Sequence, residues 1–189
     1  MFKLLCRLIF KFNKWSIVSK PPADIKKCVM VGAPHTSNWD FIYLVAAYSY
    51  MGLPNPRFTI KKEWMIFPVS LLLSSLGAIP IDRTVKKAGE RRLDMVEEMA
   101  RYIDAAEEIT VLVTPEASRA PATRWKTGFY RVALKANVPI LLGYLDYDKK
   151  EAGVGKVVYP SGDLDKDLRT ILDFYNGVSP KHPERYIKI

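Results

Sequence analysis

The sequence predicts an α/β fold: a single domain with a mostly parallel central sheet flanked by helices, plus an N-terminal amphipathic helix. Three observations carry that expectation. Short apolar runs at Cys28–Ala33, Ala78–Ile81 and Ile109–Val113 recur between longer segments with helical spacing. Strands buried on both faces read as such continuous runs rather than as alternating ones. Strand and helix signals also alternate along the chain, the order that builds parallel crossovers. At 189 residues, the chain is long enough for one compact domain with a genuine core.

The elements follow in order. Residues 1–20 contain Lys3, Arg7, Lys11, Lys14 and Lys20 and no acidic residue. On a helix the first four fall on one face, and Phe2, Leu5, Leu8, Ile9 and Phe12 occupy much of the rest, with Trp15 near the end. The interspersed cations exclude the unbroken apolar centre of a signal peptide. The pattern fits a helix lying in a membrane interface with its cations near anionic headgroups; a helix packed on the domain with a solvated basic face has the same spacing. The sequence changes character at Pro21-Pro22, which divides the chain into a membrane-interface helix over 1–20 and a domain over 21–189.

Within the domain, Cys28–Ala33 predicts a buried strand, Trp39–Tyr50 a helix, Arg57–Lys61 a strand, Glu63–Ser75 a helix opened by a turn at Trp64–Pro68, and Ala78–Ile81 a strand. Gly89–Glu108 carries Leu93, Val96, Ala100 and Ile103 on one stripe, an amphipathic helix. Ile109–Val113 is a β-branched strand, Thr127–Ala136 a helix stopped at Asn137, Val138–Tyr147 a strand, Gly155–Tyr159 another and Leu164–Tyr175 a last helix. The tail from Val178, with Pro180 and Pro183, reads as irregular.

The composition, 49% hydrophobic and 26% charged, is that of an ordinary globular protein. No uninterrupted apolar stretch reaches the roughly 18 residues that signal a membrane-spanning helix. The longest, Met65–Ile81, is broken by Pro68, Gly77 and Pro80 and is the first place to look for a lipid-facing surface. A net charge of +9 calls for an anionic partner, and nucleic acid, an anionic membrane and an anionic small substrate all fit. The basic residues lie in the N-terminal helix and in loops after strands, without the aromatic interleaving of a base-stacking platform, so nucleic acid is not expected. Cys6 and Cys28 have neither metal-ligand nor CxxC spacing, so no metal site is expected, and the natural setting is reducing and cytoplasmic.

Charge gathers where predicted strands end. His35 follows the first strand and precedes a helix that Ser37 or Asn38 can cap. Five residues turn a helix by about 500°, so His35 and Asp40 meet only if His35 sits in the loop and Asp40 in the first helical turn. There the helix N-terminus favours an ionised carboxylate, which would fix the imidazole tautomer of a general base. Alone, the spacing is weak: a histidine bonded to a backbone carbonyl beside a helix-terminal carboxylate would look the same. Arg83 follows the strand Ala78–Ile81, and Glu116 and Arg119 follow Ile109–Val113, with Arg124 and Lys126 close behind. Open α/β sheets bind ligands at the carboxyl ends of their strands, and guanidinium forks suit a phosphate. A base, a phosphate clamp and a greasy surface together describe chemistry on a phosphorylated lipid.

In order along the chain, these segments resemble the conserved blocks of the glycerol-phosphate and lysophosphatidic acid acyltransferase family. Its first block, H-x-x-x-x-D, matches His35 and Asp40. The second is similar to Lys61 or Lys62 with Glu63, followed by Gly77–Arg83. The third, usually E-G-T-R-S, stands as Glu116-Ala117-Ser118-Arg119-Ala120, followed by Trp125-Lys126-Thr127-Gly128. The fourth is Val138-Pro139-Ile140-Leu141-Leu142, lacking the usual second proline.

The resemblance implies direct transfer from acyl-CoA or acyl carrier protein to a hydroxyl of a lysophospholipid such as lysophosphatidic acid, without an acyl-enzyme and without a cofactor. His35 would be the base and Asp40 its partner. Arg83 and Arg119 would hold the acceptor phosphate, Glu116 and Ser118 would organise it, and Lys126 would join the substrate-binding set. The implied partners are an anionic membrane surface, the acyl donor and the lysophospholipid; the implied location is the cytoplasmic face of a membrane, as a peripheral or monotopic protein. Ala117 and Ala120 depart from the family pattern in the acceptor loop, which leaves acylation of a non-phosphate lipid open. A non-catalytic membrane-binding protein on the same fold is the remaining alternative.

Overall fold

The computed structural model describes residues 1–81, 95–116 and 124–186. Its elements are α1 (Phe2–Phe12), β1 (Ser16–Ile17), β2 (Lys27–Gly32), α2 (Trp39–Met51), β3 (Pro56–Lys61), α3 (Val69–Ser75), β4 (Ala78–Ile81), α4 (Met95–Ala105), β5 (Ile109–Val113), α5 (Gly128–Lys135), β6 (Ile140–Asp146), β7 (Glu151–Val158) and α6 (Leu164–Tyr175). Short 3-10 turns lie at Lys62–Trp64 and Pro183–Arg185. The strands form one seven-stranded sheet in the order β1-β7-β6-β2-β5-β3-β4. Every neighbouring pair is parallel except β6 with β7. The expected α/β architecture, with its N-terminal helix, is the one observed.

Side chains alternate across a strand, and β2 sorts the two cores accordingly. Val29 and Val31 face a cluster with Ile103, Phe129, Ile171 and Tyr175, from α4, α5 and α6. Cys28 and Met30 face the opposite cluster with Cys6, Phe10, Val45, Tyr48 and Leu76, from α1, α2 and the end of α3. The Tyr175 hydroxyl donates toward the carbonyls of Val31 and Gly143 at 2.8 and 3.0 Å. It ties α6 to the carboxyl end of β2 and to the middle of β6 beside it, close to the edge where the sheet carries its site.

Three segments differ from the sequence reading, each for a local reason. The helix expected over 1–20 ends at Phe12: the Asn13 side chain donates to the Ile9 carbonyl at 2.8 Å, and Lys14 adopts a positive φ of 61° that turns the chain. Trp15 is then buried, and Ser16–Ile17 pair with Glu151–Ala152 of β7. With Cys6 and Phe10 also buried, this segment is part of the core as well as a surface. In the segment expected over 63–75 the opening turn is longer than the helix signal suggested: a 3-10 turn spans Lys62–Trp64 and the helix starts only at Val69, since Pro68 lacks the N–H that a continuous helix needs. The strand expected at 155–159 begins at Glu151, since Lys150 takes a positive φ of 54° and closes a hairpin that no glycine or asparagine announced.

Of the helix expected over 89–108, residues 95–105 are helical, and 89–94 lie outside the described residues. Gly77 joins α3 to β4 with φ 96°, and a Cβ there would collide with the Pro56 carbonyl, so the chain can pass only with glycine. Among the described residues, no helix is long and apolar enough to cross a membrane.

Candidate active site

β2 and α2 are joined by the loop 33–38 at the carboxyl edge of the sheet, and the chemistry gathers there. The loop is held by Asp40 rather than by a capping side chain from Asn38, which makes no such bond. Asp40 lies in the first turn of α2, and its carboxylate turns back to accept the backbone N–H groups of Thr36 and Ser37, both at 2.9 Å. The same oxygen, Oδ2, lies 3.1 Å from Nδ1 of His35. The other oxygen accepts the Tyr147 hydroxyl at 2.6 Å. Ser37 uses its own hydroxyl to accept the Trp39 N–H at 3.2 Å.

Asp40 is 5% exposed. Burial alone would raise its carboxyl pKa, but the hydrogen bonds from His35, Tyr147 and the Ser37 backbone outweigh it and hold the group below the ordinary carboxylate value. An ionised carboxylate only accepts, so the proton in the His35–Asp40 bond belongs to Nδ1. Nε2 is then the unprotonated, basic nitrogen. Burial, followed by the hydrogen bond to and charge of Asp40, pushes the Tyr147 hydroxyl far above its ordinary pKa, so it remains a donor at any working pH.

Glu116, just past β5, is brought to the same place. Its Oε1 accepts the backbone N–H of His35 at 3.1 Å, which fixes the loop from the carboxyl end of the neighbouring parallel strand. Its Oε2 is buried without a hydrogen-bond partner among the described residues. Burial raises the Glu116 carboxyl against the opposing pull of its backbone hydrogen bonds.

A cavity of about 450 Å³ begins at this loop, within the usual range for small-molecule sites of about 300–1,000 Å³. His35 and Asp40 line its polar end; Phe41, Leu44, Tyr48 and Met51 of α2, with Phe58, Trp64, Leu73 and Leu112, supply apolar walls. The arrangement offers a basic imidazole nitrogen at the head of a greasy chamber.

Of the residues expected from sequence, His35, Asp40 and Glu116 are directly linked. Lys126 is near in the chain trace, its N–H donating to the Pro115 carbonyl at 2.9 Å, while its side chain is exposed. Arg83, Ser118 and Arg119 lie outside the described residues. The sequence reading missed Tyr147, which looked like the last residue of a strand, and Thr36, whose backbone is bonded to Asp40.

Residues 19–141 match the family model described as Acyltransferase, the family of glycerolipid and lysophosphatidic acid acyltransferases. The chain belongs to this family. The match covers more than half of the chain, including the His35–Asp40 loop and Glu116, and supports acyltransferase activity in lipid metabolism. A comparison with curated proteins returns no match.

Proposed function

We propose that this acyltransferase moves a fatty-acyl group from acyl-CoA or acyl carrier protein to a hydroxyl of lysophosphatidic acid or a related lysophospholipid, with His35 as general base. The observation that carries the reading is the His35 Nδ1–Asp40 bond of 3.1 Å at the polar end of the apolar cavity. In the transfer, Nε2 of His35 takes the acceptor's hydroxyl proton as the oxygen attacks the thioester carbon. Asp40 stabilises the imidazolium so formed. The tetrahedral intermediate then collapses, the C–S bond breaks, and the imidazolium returns its proton to the departing thiolate. The thioester is already activated, so the scheme needs no metal or cofactor.

The acyl chain is assigned to the cavity between α2, α3 and the sheet. The acceptor phosphate is assigned to Arg83 and Arg119, with Glu116, Ser118 and Lys126 around them. The membrane is assigned to two exposed surfaces. α1 buries Cys6 and Phe10 against α2 yet leaves Leu4, Leu5, Leu8 and Phe12 exposed, on a helix that also carries Lys3, Arg7 and Lys11. The segment around α3 exposes Trp64, Ile66, Phe67, Val69 and Leu71, and Trp64 also lines the cavity. Apolar side chains flanked by cations suit the interface of an anionic leaflet, which supports the reading of a peripheral or monotopic protein on the cytoplasmic face.

The test is turnover of acyl-CoA against a panel of lysophospholipids, with product identified by mass. His35→Ala is expected to lower kcat by roughly 10²- to 10⁴-fold, the usual contribution of a general base. Activity unaffected by that substitution sinks the mechanism, and products without phosphate sink the assignment of Arg83 and Arg119.

A further inference from the structure

Asp40 Oδ2 is saturated by three N–H groups, from His35, Thr36 and Ser37. Its Oδ1 has one hydrogen-bond partner among the described residues, the Tyr147 hydroxyl at 2.6 Å. Two oxygens held from opposite sides fix the rotation of the carboxylate plane, and with it the lone pair presented to Nδ1 of His35. Tyr147 itself is held on several sides. Its ring packs edge-on against Trp15 and Tyr43, with centroids 4.9 and 5.8 Å away, and its backbone N–H donates to the Ser179 carbonyl at 2.9 Å.

From Ser179 the chain runs back over the same loop. Lys181 places its ammonium 5.0 Å from the Trp39 ring and 6.0 Å from the Tyr147 ring. The His182 N–H donates to the Thr36 hydroxyl at 3.2 Å, and Arg185 reaches the Thr36 carbonyl at 3.4 Å. Thr36 is 2% exposed, and its own N–H is one of the donors to Asp40. The loop is thus gripped at Thr36, at Trp39 and, through Tyr147, at Asp40. Tyr147, Lys181, His182 and Arg185 all lie beyond residue 141, where the family match ends, whereas Glu116, which holds the loop at His35, lies within it.

We propose that Tyr147 and the C-terminal segment Ser179–Tyr186 form a strap that positions the His35–Asp40 pair for proton transfer. The strap rests on the reading of His35 as the base. Tyr147 and the tail touch no reacting atom; they act through Asp40 and Thr36 and are positioning residues. A loosened carboxylate leaves the substrates bound as before but lets the imidazole wander, and misplacement by about 1 Å can cost on the order of 100-fold in rate.

The experiment is steady-state kinetics on full-length Tyr147→Phe, Asp40→Asn and their double variant, with thermal melting to establish folding. Tyr147→Phe should lower kcat by roughly 10- to 100-fold while KM for donor and acceptor stays within about twofold. In the Asp40→Asn background, Tyr147→Phe should cost less than about twofold, since its target is gone. Losses that multiply in the double variant overturn the proposal, as does a Tyr147→Phe enzyme as fast as the parent. Arg185→Ala changes an exposed side chain and should fold whatever becomes of Tyr147→Phe. It should lower kcat several-fold at constant KM, and an unchanged kcat removes the tail from the strap. Full activity in His35→Ala overturns the mechanism and the strap together; an inactive His35→Ala beside a fully active Tyr147→Phe overturns the strap alone.

Discussion

The two faces of the sheet are made from similar residues and put to opposite uses. On the face covered by α4, α5 and α6, Ile103, Ile140, Leu142, Ile171 and Tyr175 are all fully buried. Even the charge there is closed off: Asp167 accepts the Tyr130 hydroxyl at 2.8 Å and the Ser161 N–H at 2.7 Å. On the face of α1, α2 and α3, a cavity of about 450 Å³ is left beside the helix that carries Asp40, and Leu8, Phe12, Phe67 and Leu71 are exposed. One face spends its apolar surface on cohesion. The other withholds part of it from the core, and that remainder is available to lipid.

The comparison can be broken first through stability. Ile103→Ala, on the closed face, should cost about 2–5 kcal/mol, measured by urea unfolding. Met51→Ala, which borders the cavity, should cost less than half as much, because fewer contacts are there to lose. It should also shift the preferred acyl donor toward longer chains. Equal costs at the two sites would mean that the faces do not differ as described.

The exposed surfaces sharpen the comparison next. Phe12→Ser and Leu71→Ser should each weaken sedimentation with anionic liposomes by roughly 10- to 100-fold, in line with about 1.5–3 kcal/mol for burying a large apolar side chain. Both should leave the melting temperature nearly unchanged, since surface substitutions typically move stability by about 0.5 kcal/mol or less. Undiminished liposome binding in the pair would discard these surfaces as lipid contacts.

The smallest effect is electrostatic. The Asp40 carboxyl is held below its ordinary value of 3.8, so it contributes stability above that pH, and the contribution is lost as pH falls through the lower, folded-state value. Glu116 is raised above its ordinary 4.5. The folded state therefore keeps a proton that the unfolded chain releases, and stability declines as pH climbs past 4.5 toward the raised value. Glu116→Gln should remove that decline, so its stability relative to the parent should rise as pH climbs past the ordinary Glu116 value of 4.5. A constant difference across the range would mean that Glu116 ionises freely in the fold.

The fold was legible because buried strands announce themselves: Ile109–Val113 and Cys28–Ala33 are β-branched or apolar throughout, and both form interior strands. The pairing of His35 with Asp40 was equally legible, since a loop histidine and a first-turn carboxylate have few ways to meet. What escaped was support supplied across the chain. Tyr147 stands 107 residues from Asp40, and nothing in its neighbourhood distinguishes it from any tyrosine ending a strand. The tail, read as irregular, does contain only a short 3-10 turn, but irregular backbone carries no periodic signal of the hydrogen bonds it makes. The turn at Trp64–Pro68 was legible as well, and the helix of that segment starts directly after it, at Val69.

The two ends of the sheet have a consequence for how copies of this protein meet. β1 is two residues long, and β4, the outer strand on the other side among the described residues, places Pro80 opposite Ile60 of β3. Neither offers a run of free backbone groups on which a further strand could grow. Among the described residues, exposed side chains such as Phe67 and Leu71 are then the readier contacts between crowded molecules, and a detergent micelle competes for them directly. Association of that kind is reversible, since the two sheet ends described give a further strand little backbone to pair with.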